Sequence, residues 1–385
     1  MPLRIVLDVR HLRDFGIGTY IRNLVFALAK IDRVNQYILP ANESDFDELQ
    51  RLPENFQPVI YRSPKHEITD QAAYPWFLRS FGADLVHIPL NDVPLLLRQP
   101  YVVTIHDMSS FLFGSRSGLR ESLRLYRFRR GLMNANRVIA VSAATRRDVE
   151  NLLGIPANRI KLVYSAPDPK FLEEGLRSRS GASGTAYNIE QMRVLERYQI
   201  QRPYLLYAGR IRPHKNVPRL IEAFAVVRGD LENHPKYRDL RLLVIGDEIS
   251  KHPEVRRAVA QTRMQNAVRF LGFIPFDTLK VFYSAASAFV FPSLYEGFGL
   301  PPLEAMASGV PVITSDVSSL PEVVGDAAVI ITPENVFDIA RGIKEVLLDD
   351  STRTRLINAG FQQVQHFSWQ TTAEQTLAVY HEVAP

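Results

Sequence analysis

The amino-acid sequence predicts an α/β protein made of two doubly wound parallel sheets, each covered by helices on both faces. Short apolar runs alternate with amphipathic stretches, the pattern of strands buried on both faces and joined by crossover helices. The alternation occurs twice, as seven runs and then six, on either side of a small, polar, glycine-containing stretch at 177–185. A chain of 385 residues also exceeds what one ordinary core holds.

In order, the first series of predicted strands covers 4–9, 37–40, 58–61, 85–88, 102–105, 137–141 and 161–164. Residues 177–185 read as a flexible connection, followed by a short helix-like segment at 189–198. The second series covers 204–207, 241–245, 268–271, 288–291, 310–314 and 328–331, and an amphipathic stretch at 372–383 closes the chain.

Doubly wound sheets bind ligands beyond the carboxyl ends of their strands, so residues at those ends carry the functional reading. The first strand leads through Asp8, Arg10 and Arg13 to Gly16-Ile17-Gly18 and an amphipathic helix. A glycine turn entering a helix suits an oxygen-rich ligand, but the third glycine of a dinucleotide fingerprint is missing, Ile21 or Arg22 standing in its place. Arg10 and Arg13 are either anion contacts or surface arginines. His106-Asp107 ends the run 102–105, where a histidine faces a ligand site or is satisfied structurally. Ser142 ends the run 137–141 as a helix N-cap.

After 204–207 come Gly209, Arg210, Lys215 and Asn216, two cations converging ahead of a helix that Asn216 could cap. Gly246-Asp247 and Gly272 through Pro275 end the next strands. The run 288–291 enters Glu296-Gly297-Phe298-Gly299-Leu300-Pro301-Pro302-Leu303-Glu304, where the prolines suit a first helical turn. Turn amides and a helix N-terminus attract phosphate or sugar oxygens, while two carboxylates accept bonds from hydroxyls, so a polyhydroxylated anion satisfies both. The plainer alternative has Glu304 complementing the helix dipole, for about 0.3 to 1 kcal/mol, and Glu296 in solvent.

Composition excludes several classes. Hydrophobic content of 46% and charged content of 23% are those of a globular domain. No apolar run approaches the roughly 20 residues that span a bilayer. The chain enters a strand at once, with acids close behind and no apolar leader, so a cytoplasmic protein is expected. The absence of cysteine excludes disulfides, thiol catalysis and thiolate metal sites. The single Asp-x-Asp, Asp45-Phe46-Asp47, lies in a polar stretch away from any strong strand, so no catalytic metal is expected there. P-loop, nucleophile-elbow, zinc-helix and nucleic-acid signatures are missing, and no nucleic-acid partner is expected.

The net charge of +5 is uneven: residues 1–170 hold 23 Lys/Arg against 17 Asp/Glu, and the remainder 23 against 24. Six arginines of the excess, Arg116, Arg120, Arg124, Arg127, Arg129 and Arg130, face one acid, Glu121. On a helix, Arg116, Arg120, Arg124 and Arg127 form a stripe beside Leu119, Leu123 and Tyr126, either a solvated face or one suited to anionic lipid headgroups.

Glu296 and Glu304, with seven residues including Gly-Phe-Gly and Pro-Pro-Leu between them, resemble the signature of family 4 retaining glycosyltransferases. The resemblance covers nearly the whole chain except 176–201. It implies the GT-B fold, two Rossmann-like domains facing a central cleft, with the last helix returning to the first domain. The domains would be 1–175 with 368–385 on the acceptor side, and 200–367 for the nucleotide sugar. The resemblance gives Glu296 and the amides of Gly297, Phe298, Gly299 and Leu300 the donor sugar, and Glu304 the ribose. Arg210 and Lys215 would take the pyrophosphate, Gly16 and Gly18 would lie over the diphosphate, and His106 would stand beside the sugar. The resemblance implies a nucleotide diphosphate sugar as donor, with no separate cofactor. The Gly-Ile-Gly-Thr-Tyr opening looks like bacterial polysaccharide mannosyltransferases, so GDP-mannose is the expected donor and a saccharide or lipid-linked hydroxyl the acceptor.

Three other classes share parts of this pattern. A nicotinamide oxidoreductase would need a complete phosphate fingerprint and an acid after the second strand, where Tyr37 to Pro40 offers neither. A sugar-nucleotide epimerase of the same fold would change its substrate without an acceptor. A non-catalytic nucleotide-sugar-binding protein would bind without turnover.

Overall fold

The structure, a computed structural model, describes residues 2–384 except 15, 63–66, 91, 92, 94, 95, 115–117 and 181–183. Only the backbone is described at 67–72, 119–121, 124, 178–180, 184–188 and 190. Among the described residues, strands form two wholly parallel sheets of seven and six. The first holds β1 Arg4–Leu7, β2 Gln36–Ala41, β3 Phe56–Ile60, β4 Leu85–Ile88, β5 Tyr101–Ile105, β6 Arg137–Ala140 and β7 Ile160–Leu162. The second holds β8 Tyr204–Gly209, β9 Arg241–Gly246, β10 Val268–Gly272, β11 Ala288–Phe291, β12 Val312–Ser315 and β13 Ala328–Ile331. All thirteen overlap the predicted runs.

Strands such as Leu85–Ile88 and Ala288–Phe291 are buried at every position, because helices cover both faces of a parallel sheet. The strand orders are β3-β2-β1-β4-β5-β6-β7 and β10-β9-β8-β11-β12-β13. Winding therefore reverses between β1 and β4 in one sheet and between β8 and β11 in the other.

The chain divides into two units, Met1–Ala166 with Ser368–Pro385, and Pro167–Phe367. The first unit stops short of the expected 175, because helix Pro169–Ser180 packs with the second unit: a Cβ on Gly175 would lie 2.1 Å from the Ala307 carbonyl. The stretch expected as a flexible connection is largely helical instead, in Pro169–Ser180 and Gly184–Arg197.

In the first unit, helix Ile17–Ile31 buries Tyr20, Ile21, Leu24, Val25 and Leu28, one face of a 3.6-residue period. Helix Ala143–Leu153 starts at Ser142, whose Oγ accepts the Thr145 amide, and ends at Gly154 in the left-handed conformation. Helix Trp369–Val383 is capped by Ser368 and buries Trp369, Thr372, Ala373, Thr376, Val379 and Tyr380. It packs against helix Ile17–Ile31 and β5, and Glu382 bridges Arg137 and Lys161 at 3.2 and 2.7 Å.

Candidate active site

Where winding reverses in the second sheet, the loops leaving β8 and β11 diverge, the place where doubly wound sheets take ligands. The β8 loop carries Arg210 and Lys215, and the β11 loop carries Glu296. The loops are tied together by the Leu294 amide, which donates to the His214 carbonyl at 2.7 Å. Asn216 adds a second tie. It is buried and left-handed (φ 60°), and its side-chain amide donates to the carbonyls of Pro292 at 3.0 Å and Pro333 at 2.7 Å. The sequence suggests Asn216 as a helix cap; its side chain makes no cap bond and instead fixes the β8 loop to the ends of β11 and β13.

On this frame Lys215 Nζ lies 2.6 Å from both carboxylate oxygens of Glu296 and 5.5 Å from the centre of the Phe291 ring. The two side chains are only 18% and 9% exposed. Sheltered charges need partners, and here each serves the other. Each could equally be satisfied by a ligand of matching chemistry, an oxyanion for the ammonium and hydroxyls for the carboxylate.

Arg210 stands exposed at the end of β8. The turn beneath it depends on Gly246, with φ 144° and an added Cβ only 2.1 Å from the Gly209 carbonyl. Asp247 then accepts the Ile211 amide at 2.8 Å.

The turn after Glu296 is held by the loop following β12. Ser318 Oγ accepts the Glu296 amide at 2.8 Å, and the Ser319 hydroxyl donates toward the carbonyls of Glu296 and Phe298, at 3.0 and 2.6 Å. The sequence suggests bare amides through this turn, but that of Glu296 is taken by Ser318. Phe298 is buried edge-on against Phe367, which leaves its ring to the core. Gly299 has φ 124° and opens helix Leu300–Ala307.

Glu304, on that helix, accepts from the Tyr283 hydroxyl at 3.1 Å. Burial pushes its carboxyl up to about 7; the Tyr283 bond works against this and the nearby Asp168 charge adds to it. Tyr283 in turn feels Tyr207, and Tyr207 feels Glu296, so both glutamates belong to one neighbourhood. Tyr283 and Asp168 carry no sequence signal, since one is a buried helical tyrosine and the other precedes a helix.

In the first unit the corresponding reversal lies between β1 and β4. Gly16 has φ 71°, and a Cβ on Gly18 would come 2.4 Å from the Leu12 carbonyl, so the loop before helix Ile17–Ile31 folds onto its first turn. Arg10 and Arg13, suggested as anion contacts, are engaged elsewhere. Arg10 grips the buried Asp8 with bonds of 3.0 and 2.9 Å and lies 3.4 Å from the centre of the Tyr74 ring. Arg13 binds Asp45 and the Ser44 carbonyl, which also makes Asp45 of the Asp-x-Asp an anchor for this loop.

His106, beyond β5, packs edge-on against Tyr20 with ring centres 4.7 Å apart. Its Nε2 donates to the Pro89 carbonyl at 3.1 Å. Burial pushes its pKa down to about 4, against the Pro89 bond and the Asp107 charge. The ring is thus neutral at pH 7, with Nδ1 as an acceptor. The structure brings Lys215 and Glu296 into contact and carries Arg210, Gly297, Phe298, Gly299, Leu300 and Glu304 on the segments that follow the adjacent strands β8 and β11. Gly16, Gly18 and His106 gather separately in the first unit, through Tyr20.

Comparison with known proteins agrees with this division. Residues 16–171 match the model described as Glycosyltransferase Family 4, and residues 190–363 that described as Glycosyl transferases group 1. The O-antigen chain mannosyltransferase B of Escherichia coli is 30% identical over 95% of this chain and 95% of its own. A glycosyltransferase from Rickettsia africae superposes with a TM-score of 0.72 at 17% identity, over 99% of this chain and 98% of that one. Anabaena HepE in complex with UDP-glucose gives 0.74 at 19%, over 99% and 100%. These two likenesses concern the fold. With a relative matched along nearly its full length, this chain belongs to the family 4 glycosyltransferases and has their GT-B fold.

Proposed function

We propose that the protein transfers mannose from GDP-mannose to a hydroxyl of a saccharide or lipid-linked acceptor, with retention at the anomeric carbon and without a metal. The Lys215–Glu296 pair at the winding reversal carries this reading, and the mannosyltransferase relative supports the sugar. With a donor in place, Lys215 and Arg210 take the pyrophosphate and Glu296 takes sugar hydroxyls. The amides of Gly297, Phe298, Gly299 and Leu300 line the sugar, while Glu304 accepts from the ribose. Gly246-Asp247 and Gly272 through Pro275 wall the base. In the first unit, Gly16 and Gly18 cover the diphosphate, and Nδ1 of the neutral His106 accepts from a sugar hydroxyl.

The acceptor oxygen attacks C1 as the bond from C1 to the β-phosphate oxygen breaks. The acceptor proton passes to the departing phosphate, so GDP leaves and no protein base is required. Charge grows on the phosphate in that step, and fixed cations stabilise it more than the ground state.

The test is calorimetric titration with GDP-mannose, whose diphosphate has no group titrating near pH 7, followed by mannosyl transfer. Ribose hydroxyls need Glu304 ionised, so affinity should weaken about fivefold between pH 7 and pH 6, and the Glu304→Gln variant should bind weakly with no such slope. The folded-state pKa is raised, so ionising Glu304 costs stability as pH rises from about 4.5 to 7. Glu304→Gln should therefore unfold at a higher temperature at pH 8. Preferential binding and turnover of UDP sugars would overturn the donor assignment, and turnover without acceptor would point to epimerisation.

We also place the enzyme at the cytoplasmic face of an anionic membrane, contacting it through residues 116–130. Helix Leu119–Asn134 buries Phe128 and Leu132 and turns out Leu123 and Tyr126, each 55% exposed, with Arg129 and Arg130. Arg116 and the side chains of Leu119, Arg120, Glu121 and Arg124 lie outside the described residues. No described helix is long and apolar enough to cross a membrane. Partition into anionic vesicles should fall when Arg127, Arg129 and Arg130 become glutamine, and also as salt rises; unchanged partition would contradict the contact.

A further inference from the structure

We propose that Trp369 and Tyr380 of the terminal helix are positioning residues for His106, acting through Tyr20, Thr104 and His87. The inference rests on the reading that His106 touches the donor sugar. Tyr20 is 1% exposed and held between two rings, His106 at 4.7 Å with an interplanar angle of 77° and Trp369 at 5.7 Å and 67°. Its hydroxyl lies 3.3 Å from Thr104 Oγ1. Thr104 Oγ1 lies 2.8 Å from His87 Nε2, and His87 Nδ1 lies 2.6 Å from the Tyr380 hydroxyl.

Thr104, His87 and Tyr380 are fully buried and Trp369 nearly so, which leaves them to act on a ligand only through a neighbour. Burial pushes the His87 pKa down to about 3, so its ring is neutral, with one donor and one acceptor nitrogen. A buried chain of this kind has few ways to satisfy every member, and it holds its ends rigidly. Thr104 and His106 are two residues apart at the end of β5, so the chain grips the same strand end that presents His106. Trp369 and Tyr380, eleven residues apart, lie three helical turns apart on one face, so a single helix clamps Tyr20 by its ring and His87 by its imidazole.

His106 needs this support because its own bond, Nε2 to the Pro89 carbonyl, fixes one atom and leaves the ring plane to be set by Tyr20. A rotated ring would point Nδ1 away from the sugar. The conservative variants Trp369→Phe and Tyr380→Phe test this, with folding checked by thermal unfolding. Long-range proton–nitrogen correlation spectra, with the His106 signal assigned by its loss in His106→Gln, should show one Nε2–H tautomer in the wild type and an averaged or shifted signal in both variants. The kcat should fall about tenfold with a smaller change in nucleotide affinity, since the proposed phosphate cations and ribose contact lie in the second unit. In a His106→Ala background the same substitutions should have little further effect on kcat.

An unchanged His106 signal in both variants would overturn the proposal, as would kcat losses of equal size with and without His106. If His106→Ala retains full turnover while the spectra still change, the support of the ring stands and the placing of His106 beside the sugar falls.

Discussion

Lys215→Met is expected to lower kcat by about 100- to 1,000-fold at saturating donor, with a smaller change in KM. The ammonium is carried by the loop after β8, held by the Asn216 bridges and the Leu294–His214 bond, and sits 2.6 Å from Glu296. On the proposed function it would reach a phosphoryl oxygen already oriented, at the point where charge would develop as the C1–O bond breaks. Methionine keeps the length and apolar contact of the side chain and removes the charge. It also strands Glu296, which is 8% exposed, and an unpartnered carboxylate there should cost about 2 to 4 kcal/mol of stability. The double variant Lys215→Met with Glu296→Gln should recover most of that stability and none of the turnover. Steady-state kinetics beside thermal unfolding separates the two effects; a variant that loses turnover only in proportion to its unfolding would remove Lys215 from the chemistry.

Glu296→Gln should lower kcat/KM for GDP-mannose by about 30- to 150-fold, the loss of about 2 to 3 kcal/mol of charged hydrogen bonding to sugar hydroxyls. Its effect on GDP alone should have the opposite sign. With no carboxylate against Lys215 Nζ, a phosphate no longer has to displace one, so GDP should bind the variant more tightly than the wild type. Titrations with GDP and GDP-mannose make the comparison, and equal weakening of both would mean that Glu296 supports the site without touching the sugar.

The two parallel sheets were legible because strands such as Ala288–Phe291 are apolar throughout and end in glycine turns, signals that depend only on local sequence. Arg210, Lys215 and Glu296 could be read together for the same reason, each standing beyond a recognisable strand, and Glu304 joined them through the motif that it closes on helix Leu300–Ala307. The helix at 169–180 was not legible, and of the helix at 184–197 only the part from 189 was. The stretch 177–185, where the two come closest in sequence, is small and polar, and the first helix is held by packing on helix Leu300–Ala307, more than a hundred residues away in sequence. Long-range partners explain the other differences. Arg10 is drawn to the Tyr74 ring as well as to its neighbour Asp8, Arg13 to Asp45, and Asn216 to two carbonyls at distant strand ends, none of which periodicity reveals. The network from Tyr380 to Tyr20 was equally hidden, since its members come from two strands and two helices.

A structure determined with intact GDP-mannose bound would examine the Lys215–Glu296 exchange directly, through the distance from Lys215 Nζ to the β-phosphate. The ammonium should have left Glu296 and lie about 3 Å from a β-phosphate oxygen, with the Glu296 carboxylate at similar distance from sugar hydroxyls. A donor bound elsewhere, with the Lys215–Glu296 pair still closed, would contradict the account.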